Sequence, residues 1–157
     1  MMIRFATTKD APAIAALYTQ LTAEMAHLAP QVIQPLAQPP VAYFRDYLEE
    51  PNAAIWVVEE AQQLVGFALV VVAETSADPE VVFHRFAFCI DLFITPAWRR
   101  HGLGKALMAQ AATWGQTHDC TALQLNVLGA DTAARAFYAA LGFLPQQLTL
   151  TKPLQEP

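Results

Sequence analysis

Charge is scarce in this chain. Only 15% of its 157 residues are Asp, Glu, Lys or Arg, while 55% are hydrophobic. A disordered chain needs the opposite balance, so that class is excluded. Cysteine is thin as well, at two residues, Cys89 and Cys120, and these show no metal-ligand spacing. Cys89 lies in an apolar run and reads as a core thiol. No apolar run reaches the length of a membrane span. Met1 to Phe5 are followed by Thr, Lys and Asp, which is not a signal peptide. A reducing cytoplasm is the expected location. Positive charge is in deficit, with a net charge of −5, which argues against nucleic acid as the main partner. The length suits one domain over residues 1–157 with a sizeable core.

The charge is unevenly spread. Residues 1–91 carry a net −7 and residues 92–157 a net +2. The basic part holds Arg99-Arg100-His101-Gly102-Leu103-Gly104-Lys105-Ala106, which follows the apolar run Phe86 to Ile94 and opens a helical pattern to about Thr117. Two glycines and three cations therefore stand at a strand-to-helix junction. Glycines let backbone N–H groups approach a ligand, and the positive helix end favours a phosphate. A Walker A loop is excluded because Ala106 stands where Ser or Thr would hold magnesium and Arg99 where the first glycine belongs. A dinucleotide fingerprint is excluded because Leu107 replaces its third glycine.

What remains, Arg99-x-x-Gly102-x-Gly104, resembles the Gln/Arg-x-x-Gly-x-Gly/Ala pyrophosphate motif of the GNAT superfamily of N-acetyltransferases. A second stretch, Asp131 to Phe143, resembles the other hallmark of that family, Asn-x-x-Ala-x-x-Phe/Leu-Tyr-x-x-x-Gly-Phe. Ala134, Phe137, Tyr138, Gly142 and Phe143 match it, and Asp131 replaces the Asn. Ile3-Arg4-Phe5-Ala6-Thr7 and Asp10 resemble the family's opening strand and helix start.

The remaining pattern is consistent with this. Ile3 to Ala6 reads as a strand. Thr7 or Thr8 caps a helix carrying Ile14, Leu17, Tyr18 and Leu21 on one face, with Asp10 in its first turn. Four prolines in residues 28–40 mark an irregular connection. Val41, Phe44 and Leu48 predict a short helix between Pro40 and Pro51. Ala54 to Glu59 and Leu64 to Ala73 read as a hairpin, and a long strand ends before Pro96. Leu123 to Leu128 and Leu148 to Thr151 read as further strands. The order β, α, α, β, β, β, α, β, α, β implies an α/β fold of the α+β type, a mixed sheet with helices on both faces. The resemblance sharpens this to a mostly antiparallel sheet of six to seven strands with about four helices. It also implies that the fourth and fifth strands splay to admit the pantetheine arm of acetyl-CoA.

The resemblance implies an acetyl-CoA-dependent N-acetyltransferase whose acceptor is a primary amine of a small molecule, attacked directly in a ternary complex. A peptide N-terminus or lysine, or a catalytically inactive CoA-binding module, are the alternatives. It implies that backbone groups of Leu92, Phe93 and Ile94 face the pantetheine. Arg99, Arg100, His101, Gly102, Leu103, Gly104 and Lys105 would cradle the diphosphate. Asn126, Asp131, Ala134, Phe137 and Tyr138 complete the cofactor set. Tyr138 is the implied general acid; the alternative is an aromatic with a locally satisfied hydroxyl. Asp131 is either a cofactor contact or an N-cap. Asp91, within an apolar run, is either a proton acceptor or cation holder, or a structural acid paired with His84 or Arg85. His27, Glu24, Tyr43 and Glu74 fall in segments bordering the acceptor side. Relatives of this kind often pair, so a homodimer is compatible with the reading.

Overall fold

A computed structural model describes residues 1–155. Strand β1 (Met2–Phe5) leads through a 3₁₀ turn into α1 (Ala11–Leu28) and, after an irregular segment, α2 (Val41–Glu49). Then come β2 (Ala53–Glu60), β3 (Gln63–Glu74), β4 (Arg85–Ile94), α3 (Leu103–Thr117), β5 (Ala122–Leu125) and α4 (Thr132–Ala140). The five strands lie in the order β1-β2-β3-β4-β5. The first four pair antiparallel, and β5 joins β4 in parallel after the α3 crossover.

The β2–β3 connection is tighter than the sequence predicts. Ala61 and Gln62 alone make the turn, both at positive φ (49° and 64°). Two left-handed residues give the turn whose twist matches a hairpin, here without glycine.

Strand alternation creates two cores. On one face α1 and α2 bury Ile14, Leu17 and Phe44 against Ile55, Val57, Phe67, Leu69 and Phe93. On the other, α3 buries Leu103, Leu107, Met108 and Ala111 against Trp56, Val58, Ala68, Val70, Ala87 and Cys89. Helices thus cover both faces, as the sequence predicts. Each large side chain buried this way contributes roughly 1.5–3 kcal/mol. At Gly66 on β3 a Cβ would come 2.8 Å from the Phe93 carbonyl oxygen, so the close β3–β4 approach requires glycine there.

The expected six to seven strands are not formed; the described residues make five. The fifth ends at Leu125, before the expected Leu128. The Leu148–Thr151 alternation finds no partner edge, and a strand without a partner leaves its backbone groups unpaired. Leu148 and Leu150 are accordingly 75% and 89% exposed. Among the described residues no helix is long and apolar enough to cross a membrane.

Candidate active site

The junction between β4 and α3 gathers backbone donors and cations at one turn. Arg100 (φ 67°) and Gly102 (φ 77°) both adopt the left-handed conformation and turn the chain back on itself. Gly102 is the N-cap of α3 and has no side chain to cap it. The first backbone bond back to that cap comes from Ala106 N–H, at 3.0 Å. The N–H groups of Leu103, Gly104 and Lys105 are therefore left at the positive helix end without helical partners. A Cβ at Gly102 would meet nothing within 4 Å, so the space before these groups is open. Gly104 serves a different need: a Cβ there would come 3.1 Å from the Phe137 ring of α4. Arg100 and Lys105 are exposed and, among the described residues, form no ion pair. His101 is exposed, its Nδ1 2.8 Å from the Arg99 carbonyl oxygen.

Arg99 is placed apart from this group. Its Nε donates to Ile94 O at 2.8 Å, and its terminal nitrogen donates to both Glu24 oxygens at 2.8 Å. Its guanidinium also lies 5.5 Å from the Phe93 ring centre. Arg99 braces α1 against the end of β4. Glu24, a border residue by sequence, is the carboxylate that holds it.

β4 is paired with β3 along its full length but with β5 only over Phe86–Cys89. Beyond Cys89 its outer edge is vacated, because β5 ends at Leu125. Thr95 N–H reaches Val65 O at 2.9 Å. Alternation then turns the backbone groups of Phe93 toward β3, and those of Leu92 and Ile94 toward the vacated edge. Of the three expected residues, Leu92 and Ile94 have backbone groups on this edge, and Ile94 O is taken by Arg99.

A bulge reorients the next residue. The register runs Val70↔Cys89 and then Leu69↔Asp91, leaving Ile90 as the extra residue. Unbroken alternation would put Asp91 on the α3 face beside Cys89. The bulge turns it to the α1/α2 face instead. Its Oδ2 is buried and has no hydrogen-bond partner. Burial pushes its pKa from the ordinary carboxylate range up to about 7. The structural alternative is not what the contacts give. Arg85 binds His118 O and Glu74, and His84 contacts Val82 O and Gln124; neither hydrogen-bonds Asp91.

α4 packs Tyr138 against the α3-face core, near enough to Cys89 and Asp91 for both to raise its pKa. Its start is set by Asp131, whose Oδ1 accepts from Ala134 N–H at 2.9 Å. Asp131 is thus an N-cap. Its end is set by Gly142 (φ 90°): Gly142 N–H bonds Ala139 O and Phe143 N–H bonds Tyr138 O, both at 3.0 Å. The Tyr138 and Phe143 rings meet at 5.6 Å, completing a Schellman motif with its apolar contact. Among the described residues the Tyr138 hydroxyl has no hydrogen-bond partner. Burial first, then the neighbouring Cys89, Asp131 and Asp91 groups, raise its pKa, so the phenol holds its proton. The Cys89 thiol is pushed by burial up to about 12, which leaves it protonated and a poor nucleophile. Asn126 is exposed just past the end of β5.

The α1/α2 side of the gap is aromatic. Tyr18 of α1 stacks on Tyr43 of α2 at 6.1 Å, and Tyr43 meets Tyr47 edge-on at 5.0 Å. After burial, the Asp91 charge is what raises the pKa of both Tyr18 and Tyr43, so the three groups share one electrostatic environment. Sequence reasoning assigned Tyr18 to a core stripe. The available signal was a hydroxyl on that stripe, which needs a wet or polar neighbour. His27 is exposed at the end of α1, and Glu74 pairs with Arg85.

Residues 16–143 match the Acetyltransferase (GNAT) family. The uncharacterized N-acetyltransferase YhfO of Bacillus subtilis is 29% identical over 143 residues, covering 91% of this chain and 89% of that protein. In fold, the chain is similar to the F44R mutant of BH1408 from Bacillus halodurans, with a TM-score of 0.91, 23% identity and coverage of 99% and 100%. It is also similar to the aminoglycoside N-acetyltransferase AAC(6')-Iy in complex with CoA, with a TM-score of 0.76, 18% identity and coverage of 98% and 99%.

Proposed function

The chain belongs to the GNAT acetyltransferase family and is an acyltransferase with acetyl-CoA as co-substrate, and from that premise we propose that it acetylates a primary amine of a small molecule by direct attack in a ternary complex. The observation that carries this is the unpartnered Asp91 carboxylate at the mouth of the β4–β5 gap, opposite the unpartnered Tyr138 hydroxyl.

The residues fit the co-substrate. The uncapped N–H groups of 103–105 with Arg100 and Lys105 suit its diphosphate, and the Leu92 edge suits an extended amide-bearing arm. Acetyl-CoA supplies an activated acetyl carbonyl and a thiolate leaving group. Asp91 Oδ2 takes a proton from the incoming ammonium, leaving the nitrogen lone pair free to attack. The N–H group of Leu92 on the vacated edge is available to an oxygen that gains charge. Tyr138 gives its phenolic proton to the departing sulfur. The proton shed by the new amide nitrogen restores the phenol. Cys89 takes no covalent part. A small-molecule acceptor is supported by the likeness in fold to an aminoglycoside N-acetyltransferase.

Amine-dependent release of CoA thiol, followed across a panel of small amines and lysine peptides, tests the reading. Release with small amines is expected. Tight acetyl-CoA binding with no amine-dependent release would make the chain a binding module. Release with peptides alone would make it a protein acetyltransferase.

We also propose that a second copy of the chain covers the leucines of residues 144–155, as a homodimer. The outer edge of β5 is unpaired, and Leu144, Leu148, Leu150 and Leu154 are all strongly exposed. Light scattering at micromolar concentration should give a dimer mass that is lost on removing residues 146–157. A monomer mass for the full chain would overturn this.

A further inference from the structure

The face on which Asp91 opens has a chemistry of its own. Up to Cys89, alternation along β4 sends Ala87 and Cys89 into the α3 core, so Phe86 and Phe88 point to the α1/α2 side. Neither joins the core that α1 and α2 make there; both remain partly exposed. They form a row of rings. His84 stands 5.4 Å from Phe86, and Phe86 stands 6.4 Å from Phe88. Gln124, opposite Phe88 on β5, closes the end of the row through a 3.1 Å contact with His84. The row leads to Asp91. A strand rise of ~3.3 Å per residue puts Phe88 about 7 Å from Asp91 once the bulged Ile90 is discounted. The stacked Tyr18–Tyr43 pair lies on the same side, near enough for the Asp91 charge to raise both phenol pKa values, and Tyr43 is 37% exposed.

One charge in an aromatic trough selects for one charge on an apolar ligand. A polycation would need several carboxylates, and Glu24 on the flanking helix is already held by Arg99. Aromatic faces also attract an ammonium directly. We propose that the acceptor is an arylalkylamine, a single primary ammonium joined by a short alkyl spacer to an aromatic body, with the ammonium at Asp91 beside the Tyr18–Tyr43 pair and the ring over Phe88 and Phe86.

This inference rests on the acetyl-transfer reading above, and the experiment separates the two. Thiol release is measured with acetyl-CoA and 2-phenylethylamine, spermidine or kanamycin. In parallel, binding of 2-phenylethylamine and of 2-phenylethanol to the CoA-loaded protein is measured by calorimetry. The expected result is kcat/KM for 2-phenylethylamine at least about tenfold above either polycation, with the alcohol binding at least about tenfold more weakly than the amine. Tyr43→Ala, compared with Tyr43→Phe and with a thermal melt confirming that each is folded, should raise KM for 2-phenylethylamine about tenfold while KM for acetyl-CoA changes less than about twofold. Acetylation of spermidine or kanamycin in preference to the arylalkylamine overturns this inference and leaves acetyl transfer intact. Binding of 2-phenylethylamine without turnover of any amine upholds the trough and overturns the catalytic reading. Absence of both binding and turnover of 2-phenylethylamine overturns the trough. A Tyr43→Ala protein with unchanged KM for the amine also overturns it.

Discussion

Asp10 and Asp91 are two shielded carboxylates with opposite surroundings. Asp10 accepts from the Arg4 guanidinium at 2.8 and 3.0 Å and from Thr7 N–H at 2.7 Å. The Arg4 hydrogen bond, helped by Thr7, holds its pKa down at about 2. Asp91 has an oxygen that nothing among the described residues satisfies, and burial lifts it to about 7. The difference separates two uses of a charge. At the β1–α1 corner every lone pair is spent on holding the chain, so the charge is structural. At the β4 bulge the lone pair is left open, which is what the proposed proton acceptor requires.

The largest test of that contrast is Asp91→Asn. It should lower kcat/KM about 10²- to 10³-fold, the usual weight of a positioned proton acceptor. The wild-type rate should rise with pH through about 7, where Asp91 ionises, and the variant should lose that limb. Stability should move the other way. A folded pKa above the ordinary value of 3.8 contributes stability that is complete below that value and lost as pH rises through about 7. Urea melts of the wild type should show this decline, and Asp91→Asn should flatten it. An intact pH–rate limb in Asp91→Asn would show that the carboxylate is not handling protons.

Tyr138→Phe comes next, with turnover falling about tenfold to a hundredfold. Its hydroxyl holds no partner among the described residues, so the melting temperature and acetyl-CoA affinity should stay close to wild type. Normal turnover would remove the acid role. Asp10→Ala is smaller still and reverses the pattern: stability should fall by about 1–2 kcal/mol with kcat unchanged, because the change removes a cap and an ion pair far from the gap. The depressed pKa of Asp10 predicts that this stability is present above pH 3.8 and is lost as pH falls toward about 2. If Asp10→Ala abolished activity in a folded protein, the separation of the two uses would fail.

What could be seen in the sequence follows the same division between local and distant causes. The glycine turn at 102–104 and the α4 segment from Asp131 to Gly142 were legible because each is made by residues within a few positions of one another. The α2 helix was legible between Pro40 and Pro51 for the same reason. The bulge at Ile90 was not. Period-2 reading assumes unbroken alternation, and no residue type near Ile90 announces the extra residue that turns Asp91 over. The Arg99–Glu24 brace joins residues far apart in the chain, so a motif that assigns Arg99 to the cofactor could not reveal it. Leu148 and Leu150 carry a true strand pattern. Forming the strand takes a second edge, which is a property of the surroundings rather than of those residues.

The finest test concerns Asp131, which belongs to both sides of the comparison. Its side chain caps α4, and its charge is one of those that raise the Tyr138 pKa. Asparagine is as good an N-cap as aspartate, so Asp131→Asn should leave stability within about 0.5 kcal/mol of wild type, whereas Asp131→Ala should cost about 1 kcal/mol. Removing the charge should let the phenol ionise slightly more easily. The alkaline limb of the rate, where Tyr138 loses its proton, should therefore move to lower pH in Asp131→Asn. A shift upward would contradict the electrostatic link between the cap and the acid. A large rise in KM for acetyl-CoA in Asp131→Asn, with stability unchanged, would instead give the carboxylate a direct hold on the cofactor beyond its capping bond.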